Sequence, residues 1–342
     1  MNPRRICILT DGHLDTFTAK TALGLLRYCP DEVVAVLDRQ HVGESLFDLV
    51  GTGKDIPIIG SIDAAKQLSA NQLLMGVALP GGQLPVAWRE FLEEGLQSGM
   101  DIVSGMHARL NHDERFAQLA KENGRTLYDV RNPGPPPPVG SGKAAFTKAK
   151  RILTVGSDCN VGKRVTALEI TRELKSRDVN VEFLATGQTG IMISGSGVPA
   201  DAVISDFLTG YIERGVLERG DADYVLVEGQ GSILNPAFSP VTLGLIHGAM
   251  PDAMIICHHP PRKNMRATEY PVAGLRELID LHEAITKPLY PSKVIAVALN
   301  CFGMDPQAAD DAVRATQELT GLPAIDPIRM GASGFADLIL AL

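Results

Sequence analysis

Arg151-Ile152-Leu153-Thr154-Val155-Gly156-Ser157-Asp158-Cys159-Asn160-Val161-Gly162-Lys163-Arg164 is the stretch whose reading decides the fold. An apolar run stops at Gly156, and five residues separate that glycine from Gly162-Lys163. Thr166, Ala167, Leu168, Ile170 and Leu174 then start a helical apolar pattern. A strand, a glycine-bounded loop and a helix N-terminus make a phosphate cradle. Backbone N–H groups point inward, the helix end carries partial positive charge, and the lysine adds a full one. Gly156, Ser157, Asn160, Val161, Gly162, Lys163 and Arg164 are the expected phosphate-binding residues. The competing account is a Gly-rich turn between a strand and a helix.

The loop departs twice from the usual spelling, which has four residues between the glycines and a Ser or Thr after the lysine. Here there are five, and Arg164 stands where the hydroxyl should be. That hydroxyl normally ligates Mg²⁺ beside the terminal phosphates. Thr166, two positions on, faces elsewhere on a helix. The pattern supports gripping phosphate better than splitting it.

Composition sets the outer limits. The chain has 342 residues, enough for two ordinary domains, with 45% apolar and 21% charged residues as in a soluble globular protein. A net charge of −8 and a sequence pI near 5.5 argue against a nucleic-acid surface. They also require a local basic pocket for any anionic ligand. No apolar run approaches the roughly 20 residues of a membrane helix. Met1-Asn2-Pro3-Arg4-Arg5 is followed by too short an apolar run for a signal peptide. Cys7, Cys29, Cys159, Cys257 and Cys301 are scattered, with no Cys-x-x-Cys pair, so neither a zinc site nor a disulfide framework is expected. The expectation is a cytoplasmic protein with small-molecule substrates, without nucleic-acid or membrane partners. A homo-oligomer is the default.

Arg131-Asn132-Pro133-Gly134-Pro135-Pro136-Pro137-Pro138-Val139-Gly140-Ser141-Gly142 marks a boundary, a stiff spacer followed by flexible glycines. It divides the chain into residues 1–132, a linker over 133–147, and residues 148–342. Strands are expected in the first part at Ile6–Leu9, Val33–Leu37, Pro57–Ile59, Leu73–Ala78, Ile102–Val103 and Thr126–Tyr128. Helices are expected from about Thr16, Ala64, Val86 and Glu114. Alternating strands and helices mean a parallel sheet covered on both faces, here Rossmann-like. The Gly-rich fingerprint is missing after the first strand, where Thr10-Asp11-Gly12-His13 stands. Asp38 either occupies the ribose-binding position or caps a turn. Pro80-Gly81-Gly82-Gln83-Leu84-Pro85 is either a ligand loop or a tight turn.

The second part repeats the α/β logic, with strands at Arg151–Val155, Val181–Leu184, Tyr224–Glu228, Ala253–Cys257 and Lys293–Leu299. Ligands of such sheets sit outside the carboxyl ends of the strands. Gln188 lies there in Ala185-Thr186-Gly187-Gln188-Thr189-Gly190. Asp201 is a plausible helix N-cap, and Asp206, among apolar neighbours, is hard to explain as a solvated charge. Glu228 ends the third strand before Gly229-Gln230-Gly231, placed to hold a water or metal, to accept an amine proton, or to be satisfied by backbone donors. His258-His259-Pro260-Pro261-Arg262-Lys263-Asn264-Met265-Arg266 is a dense basic cluster. Its arginines suit carboxylates or phosphates, and its histidines are acid/base or structural groups. No metal ligand set is expected. Asn300 ends the fifth strand, where an Asn reads a nucleotide base or makes a turn.

The second part resembles the dethiobiotin synthetase branch of P-loop proteins in its five-residue gap, in Val227-Glu228-Gly229 and in Asn300. It departs at Arg164, where that enzyme has a Thr. Nearly the whole chain resembles a bacterial two-domain family with a Rossmann-like half and a P-loop NTPase-like half. The resemblance rests on Lys20-Thr21-Ala22 with Leu25-Leu26-Arg27-Tyr28, the loop from Gly156 to Lys163, and Gly187-Gln188-Thr189-Gly190. It extends through Glu228-Gly229-Gln230-Gly231-Ser232 and Leu245-Ile246-His247-Gly248 before Pro251-Asp252-Ala253. Members of this family include D-glutamate N-acetyltransferases, which move acetyl from acetyl-CoA to the amine of D-glutamate in a catabolic route.

The resemblance implies acetyl-CoA as co-substrate, its phosphates on the loop, with Asn300 also at the cofactor. Glu228 or Asp206, with His258 as alternative, would take the amine proton, while Arg262, Arg266 and Gln188 would hold the amino acid. Two rivals stand beside it. One is an ATP-dependent ligase or kinase using Mg²⁺, and the other is a non-catalytic nucleotide-binding regulatory protein.

Overall fold

Short aliphatic runs, buried along their length, build the first sheet. The chain is described by a computed structural model over residues 3–16, 18–77 and 84–342. β1 (Ile6–Leu9), β2 (Val33–Leu37), β3 (Ile58–Ile59), β4 (Gln72–Met75), β5 (Asp101–Ser104) and β6 (Leu127–Asp129) pair in parallel, in the order β3-β2-β1-β4-β5-β6. This is the Rossmann order, reversing between β1 and β4. Between the strands lie α1 (Lys20–Tyr28), α2 (Leu46–Val50), α3 (Ile62–Gln67), α4 (Trp88–Gln97) and α5 (Glu114–Glu122). The start of α5 is fixed by Asp113, whose carboxylate accepts from the Arg115 and Phe116 amides.

The sequence misplaces some boundaries. The helix expected from Thr16 begins at Lys20, and α2 was not expected. Ala78 and Pro80–Gln83 lie outside the described residues. Asp38 is fully buried and accepts hydrogen bonds from Thr10 Oγ1 (3.2 Å) and the Gly12 and Gln40 amides (both 3.1 Å). Its carboxylate is consumed inside the loop, so the capping account holds and the ribose account does not.

The second sheet contains β7 (Lys150–Gly156), β8 (Val181–Leu184), β9 (Tyr224–Val227), β10 (Ala253–His258), β11 (Lys293–Leu299) and β12 (Ala324–Ile325). All pair in parallel, in the order β12-β11-β10-β7-β9-β8. Arg151 to Gly156 is buried without alternation, as in a central strand covered on both faces. The helices are α6 (Lys163–Ser176), α7 (Gln188–Ser194), α8 (Ser205–Leu217), α9 (Ser239–Ala249), α10 (Leu275–Thr286), α11 (Pro306–Thr320) and α12 (Ser333–Leu340). β12 escaped the sequence reading because two residues carry no period. Asp201 is not a helix N-cap: it lies in the 3₁₀ turn Ala200–Ala202, and α8 starts at Ser205. No described helix is long and apolar enough to cross a membrane.

By contacts the chain forms two units. One comprises residues up to Pro133 with Ile191–Gly195, and the other Gly134–Gly190 with Ser196–Leu342. The glycines after the proline run are not loose. Ser141 donates to Glu213 of α8 through its amide (3.1 Å) and hydroxyl (2.9 Å), and the Lys143 amide donates to the same carboxylate (2.6 Å). Burial alone would raise the Glu213 carboxyl, but these donors hold it below the ordinary carboxylate range. A Cβ on Gly210 would lie 2.0 Å from the Pro138 carbonyl oxygen, so only glycine lets the segment lie this close.

At the amino ends of the strands, Arg151 is 1% exposed and fully engaged. It pairs with Asp252 (2.9 Å) and donates to Tyr290 Oη (2.9 Å), Thr147 Oγ1 (2.8 Å) and the Met250 carbonyl (2.8 Å). Tyr290 in turn donates to Asp252 (2.8 Å). Arg151→Ala leaves Asp252 without its cation and should cost about 3 kcal/mol. Urea unfolding checks this, and an unchanged midpoint would show the network to be idle.

Candidate active site

The loop between β7 and α6 bends through two left-handed residues, Asn160 (φ 55°) and Gly162 (φ 104°). Asn tolerates that region and glycine alone adopts it freely, which is why the turn into α6 is spelled with these residues. Asn160 is exposed at the tip, whereas Val161 is 1% exposed beneath it. Val161 therefore supports the loop from inside and offers only its backbone to a ligand.

Lys163 opens α6 and folds back over the loop. Its ammonium is 6% exposed and donates to the Asp158 carbonyl (2.7 Å). A Cβ on Gly156 would lie 3.0 Å from Nζ, and one on Gly229 would lie 3.0 Å from Lys163 Cδ and 1.6 Å from the Thr154 carbonyl oxygen. The lysine stem thus needs both glycines. The Gly229 amide is held by Thr154 Oγ1 (2.9 Å), locking the end of β9 against β7. Burial lowers the Lys163 pKa, and no described carboxylate pairs with the ammonium. Arg164 is in the same condition. Its Nε is buried without a partner, and no described residue hydrogen-bonds to its guanidinium.

Asp158 and Asn235, to which the sequence assigned no role, hold the loop in shape. Asp158 is fully buried. It accepts from Asn235 Nδ2 (3.0 Å), Arg262 Nη1 (2.6 Å) and the Arg266 amide (2.7 Å). Burial alone would raise its carboxyl, but these bonds, with the Cys159 amide, outweigh it and hold the pKa below the ordinary range. Arg262 also donates to the Cys159 carbonyl (2.5 Å), so part of its guanidinium is spent on the loop. The Arg266 backbone is pinned on both sides, since its carbonyl accepts from Asn235 (3.0 Å), yet its side chain is exposed and bonded to no described residue. An Asn-Pro turn eighty residues downstream carries no sequence signal for this role, because its partner is found only by folding.

The remaining candidates separate. Glu228 is 4% exposed, and its Oε2 accepts from the Thr186 (2.9 Å) and Gly187 (3.2 Å) amides just ahead of α7. A Cβ on Gly190 would lie 2.1 Å from that oxygen. Burial raises the Glu228 pKa, opposed by the Arg164 charge and the two amides. Gln188 begins α7 beside it. His258 ends β10 and shares a 2.9 Å hydrogen bond with Ser157 Oγ through Nδ1. Burial, with the charges of His259 and Arg262, lowers its pKa to about 4, so the ring is neutral at physiological pH. His259 bonds instead to the Asn300 carbonyl (2.6 Å), as expected for neighbours pointing apart. Asn300 makes a turn, its Oδ1 accepting from the Phe302 amide (3.2 Å), and its Cβ stands 3.5 Å from where a Gly162 Cβ would be.

Asp206 does not join this group as a buried acid. It is exposed in the first turn of α8, where the helix dipole stabilises a solvated carboxylate. A groove of about 560 Å³ runs elsewhere, along β8 and α8 between Glu182, Arg214 and Asp221, and no loop residue lines it.

Fold and site define a P-loop protein fused to a Rossmann-like half, with a phosphate loop that ends in two unpaired cations. The chain belongs to the DUF1611 family. Its Rossmann-like domain of unknown function matches residues 39–133, and its P-loop domain of unknown function matches residues 138–336. A Tritonibacter scottomollicae protein named D-glutamate N-acetyltransferase is 37% identical over 331 residues, 96% of either chain. A Pseudoalteromonas protein of the same name is 37% identical over 275 residues, covering 79% of this chain and 82% of that one. A DUF1611 crystal structure from Anabaena variabilis superposes with a TM-score of 0.93 at 35% identity, covering 99% of this chain and 100% of that one.

A buried ammonium with one carbonyl partner is held against its solvation preference. Lys163→Met should therefore raise the thermal midpoint of the free protein, by about 1–2 kcal/mol of stability, while lowering pyrophosphate affinity at least roughly tenfold. Calorimetric unfolding and titration measure the two effects, and a variant that loses stability and keeps affinity contradicts the geometry.

Proposed function

We propose that this chain is an N-acetyltransferase that moves acetyl from acetyl-CoA to the amine of D-glutamate. The observation that carries the reading is the anion seat, in which Lys163 and Arg164 stand at one helix N-terminus without a carboxylate partner. A coenzyme with a diphosphate supplies what the seat lacks, and no phosphate bond need break. The names of the relatives supply the acetyl group and the amino acid.

In the reaction the amine nitrogen attacks the thioester carbonyl, a C–N bond forms, the C–S bond breaks, and coenzyme A leaves as the thiol. The amine must shed its extra proton, and the passing oxyanion needs donors. Glu228 suits the base, since burial raises its pKa toward neutrality. His258 is the alternative, a neutral imidazole whose free nitrogen is base or donor according to whether Ser157 gives or takes the shared hydrogen. Asp206, solvated, lacks the environment of a tuned base. Arg266 is the better holder of a substrate carboxylate, because Arg262 is already committed to Asp158.

Reach decides how Glu228 acts. The arm between the diphosphate and the sulfur is about four peptide units long, roughly 14 Å when extended. An extended arm carries the thioester beyond the loop, and Glu228 then serves cofactor binding. An arm folded back along Gly229–Ser232 brings the carbonyl to it. Glu228→Gln separates the two: a rise in KM for acetyl-CoA marks the first, a fall in kcat of roughly a hundredfold the second.

Thiol release from acetyl-CoA should depend on D-glutamate and run more slowly with L-glutamate. Absence of thiol release with any amino acid at high enzyme concentration ends the acetyltransferase reading. Glu228 also gives a pH signature. Its folded pKa lies above the unfolded value, so stability is complete below the ordinary 4.5 and declines as pH rises through the folded pKa. Both amide donors converge on one oxygen, so glutamine can keep them. The thermal midpoint of Glu228→Gln should match wild type in acid and exceed it increasingly toward alkaline pH.

A further inference from the structure

We infer that Arg164 takes the place of the divalent cation of ordinary phosphate loops, so that this site binds phosphate esters free of Mg²⁺ and discriminates against Mg²⁺-complexed nucleoside triphosphates. The inference rests on the anion-seat reading above and adds the metal state of the ligand.

P-loop folds usually hold Mg²⁺ between the hydroxyl after the lysine and a carboxylate at a strand end. The residues here do not fit that ion. The hydroxyl position is Arg164. The next hydroxyl, Thr166, is 2% exposed, and its Oγ1 accepts from Cys257 Sγ (3.5 Å) under the helix. At the strand end, Glu228 has Oε2 occupied by the Thr186 and Gly187 amides, and the charge that acts on it most is that of Arg164. Among the described residues no group of three His, Cys, Asp or Glu side chains could hold a metal ion.

What stands between the lysine and the carboxylate is thus a guanidinium with its Nε buried and unpartnered. Leaving a buried donor unpaired costs free energy that an acceptor recovers. A guanidinium presents parallel N–H groups that match two phosphate oxygens. Mg²⁺ chelated to the same oxygens would sit against a fixed positive charge in a poorly solvated site, where like charges repel strongly. Metal and Arg164 are therefore alternatives, and the chain has built in the second.

Titration calorimetry of CoA and of ATP, each in EDTA and in excess Mg²⁺, tests this on the wild type, Arg164→Ser and Arg164→Lys. Wild type should bind CoA with affinities within about twofold in the two conditions, and Mg²⁺ should weaken its ATP binding roughly tenfold. Arg164→Ser should lose roughly tenfold in CoA affinity in EDTA and should bind ATP better with Mg²⁺ than without. Arg164→Lys keeps a charge, and so should retain the indifference to Mg²⁺ whether or not the serine variant folds. Mg²⁺-strengthened ATP binding by wild type, or an Arg164→Lys protein that has become Mg²⁺-dependent, overturns the inference and leaves the phosphate seat standing. Failure of wild type to bind CoA or ATP in EDTA removes the seat and the inference together.

Discussion

A positive charge kept almost out of water, with only a backbone carbonyl to answer it, is the constraint around which the second unit is organised. The Lys163 ammonium rests on the Asp158 carbonyl, and its stem threads between Gly156 and Gly229. Neither glycine can carry a side chain without displacing the lysine. Thr154 fixes Gly229, and Ser232 donates to the Ser157 carbonyl (3.2 Å). The ends of β7 and β9 and the start of α6 are thus set by what the lysine requires. Such a charge lowers the stability of the free protein and raises its affinity for an anion, the usual exchange at a binding site.

The same few ångströms contain two buried carboxylates driven in opposite directions. Asp158 meets a guanidinium, an amide side chain and backbone N–H groups, which keep it ionised. Glu228 meets two amides and a more distant guanidinium, and burial prevails. The acids therefore divide the work. Asp158 shapes the loop and gathers Arg262 and Arg266 around it, while Glu228 is left able to exchange a proton. In a chain of net charge −8, that gathering lets one spot be cationic while the surface as a whole is not.

Much of this was legible in the sequence because it is local. A strand, a five-residue gap, Gly-Lys and a helical period all lie between Ile152 and Leu174, and the central strands are continuous aliphatic runs. Glu228 and His258 were found because strand ends in a parallel sheet converge. Long-range pairing was illegible. The bond from Asn235 to Asp158 spans 77 positions and that from Arg262 spans 104, and no period or motif marks either. Asp206 misled for a related reason. Its apolar neighbours Phe207 and Leu208 turn toward the protein, while the helix carries Asp206 itself out to solvent. Val161 was read as a ligand contact because it lies in the loop, yet a branched apolar side chain there points inward.

The grip of Glu213 on Ser141 and Lys143 fixes where the P-loop half becomes autonomous. Cut at its first strand, that half would retain every residue of the phosphate loop and still be incomplete, with a carboxylate stranded in α8 and a bare groove over Gly210. Recombination between relatives, natural or in the laboratory, would therefore succeed at crossovers inside the proline run and fail a dozen residues later. The prolines mark a seam, and the seam lies well ahead of the sheet it serves.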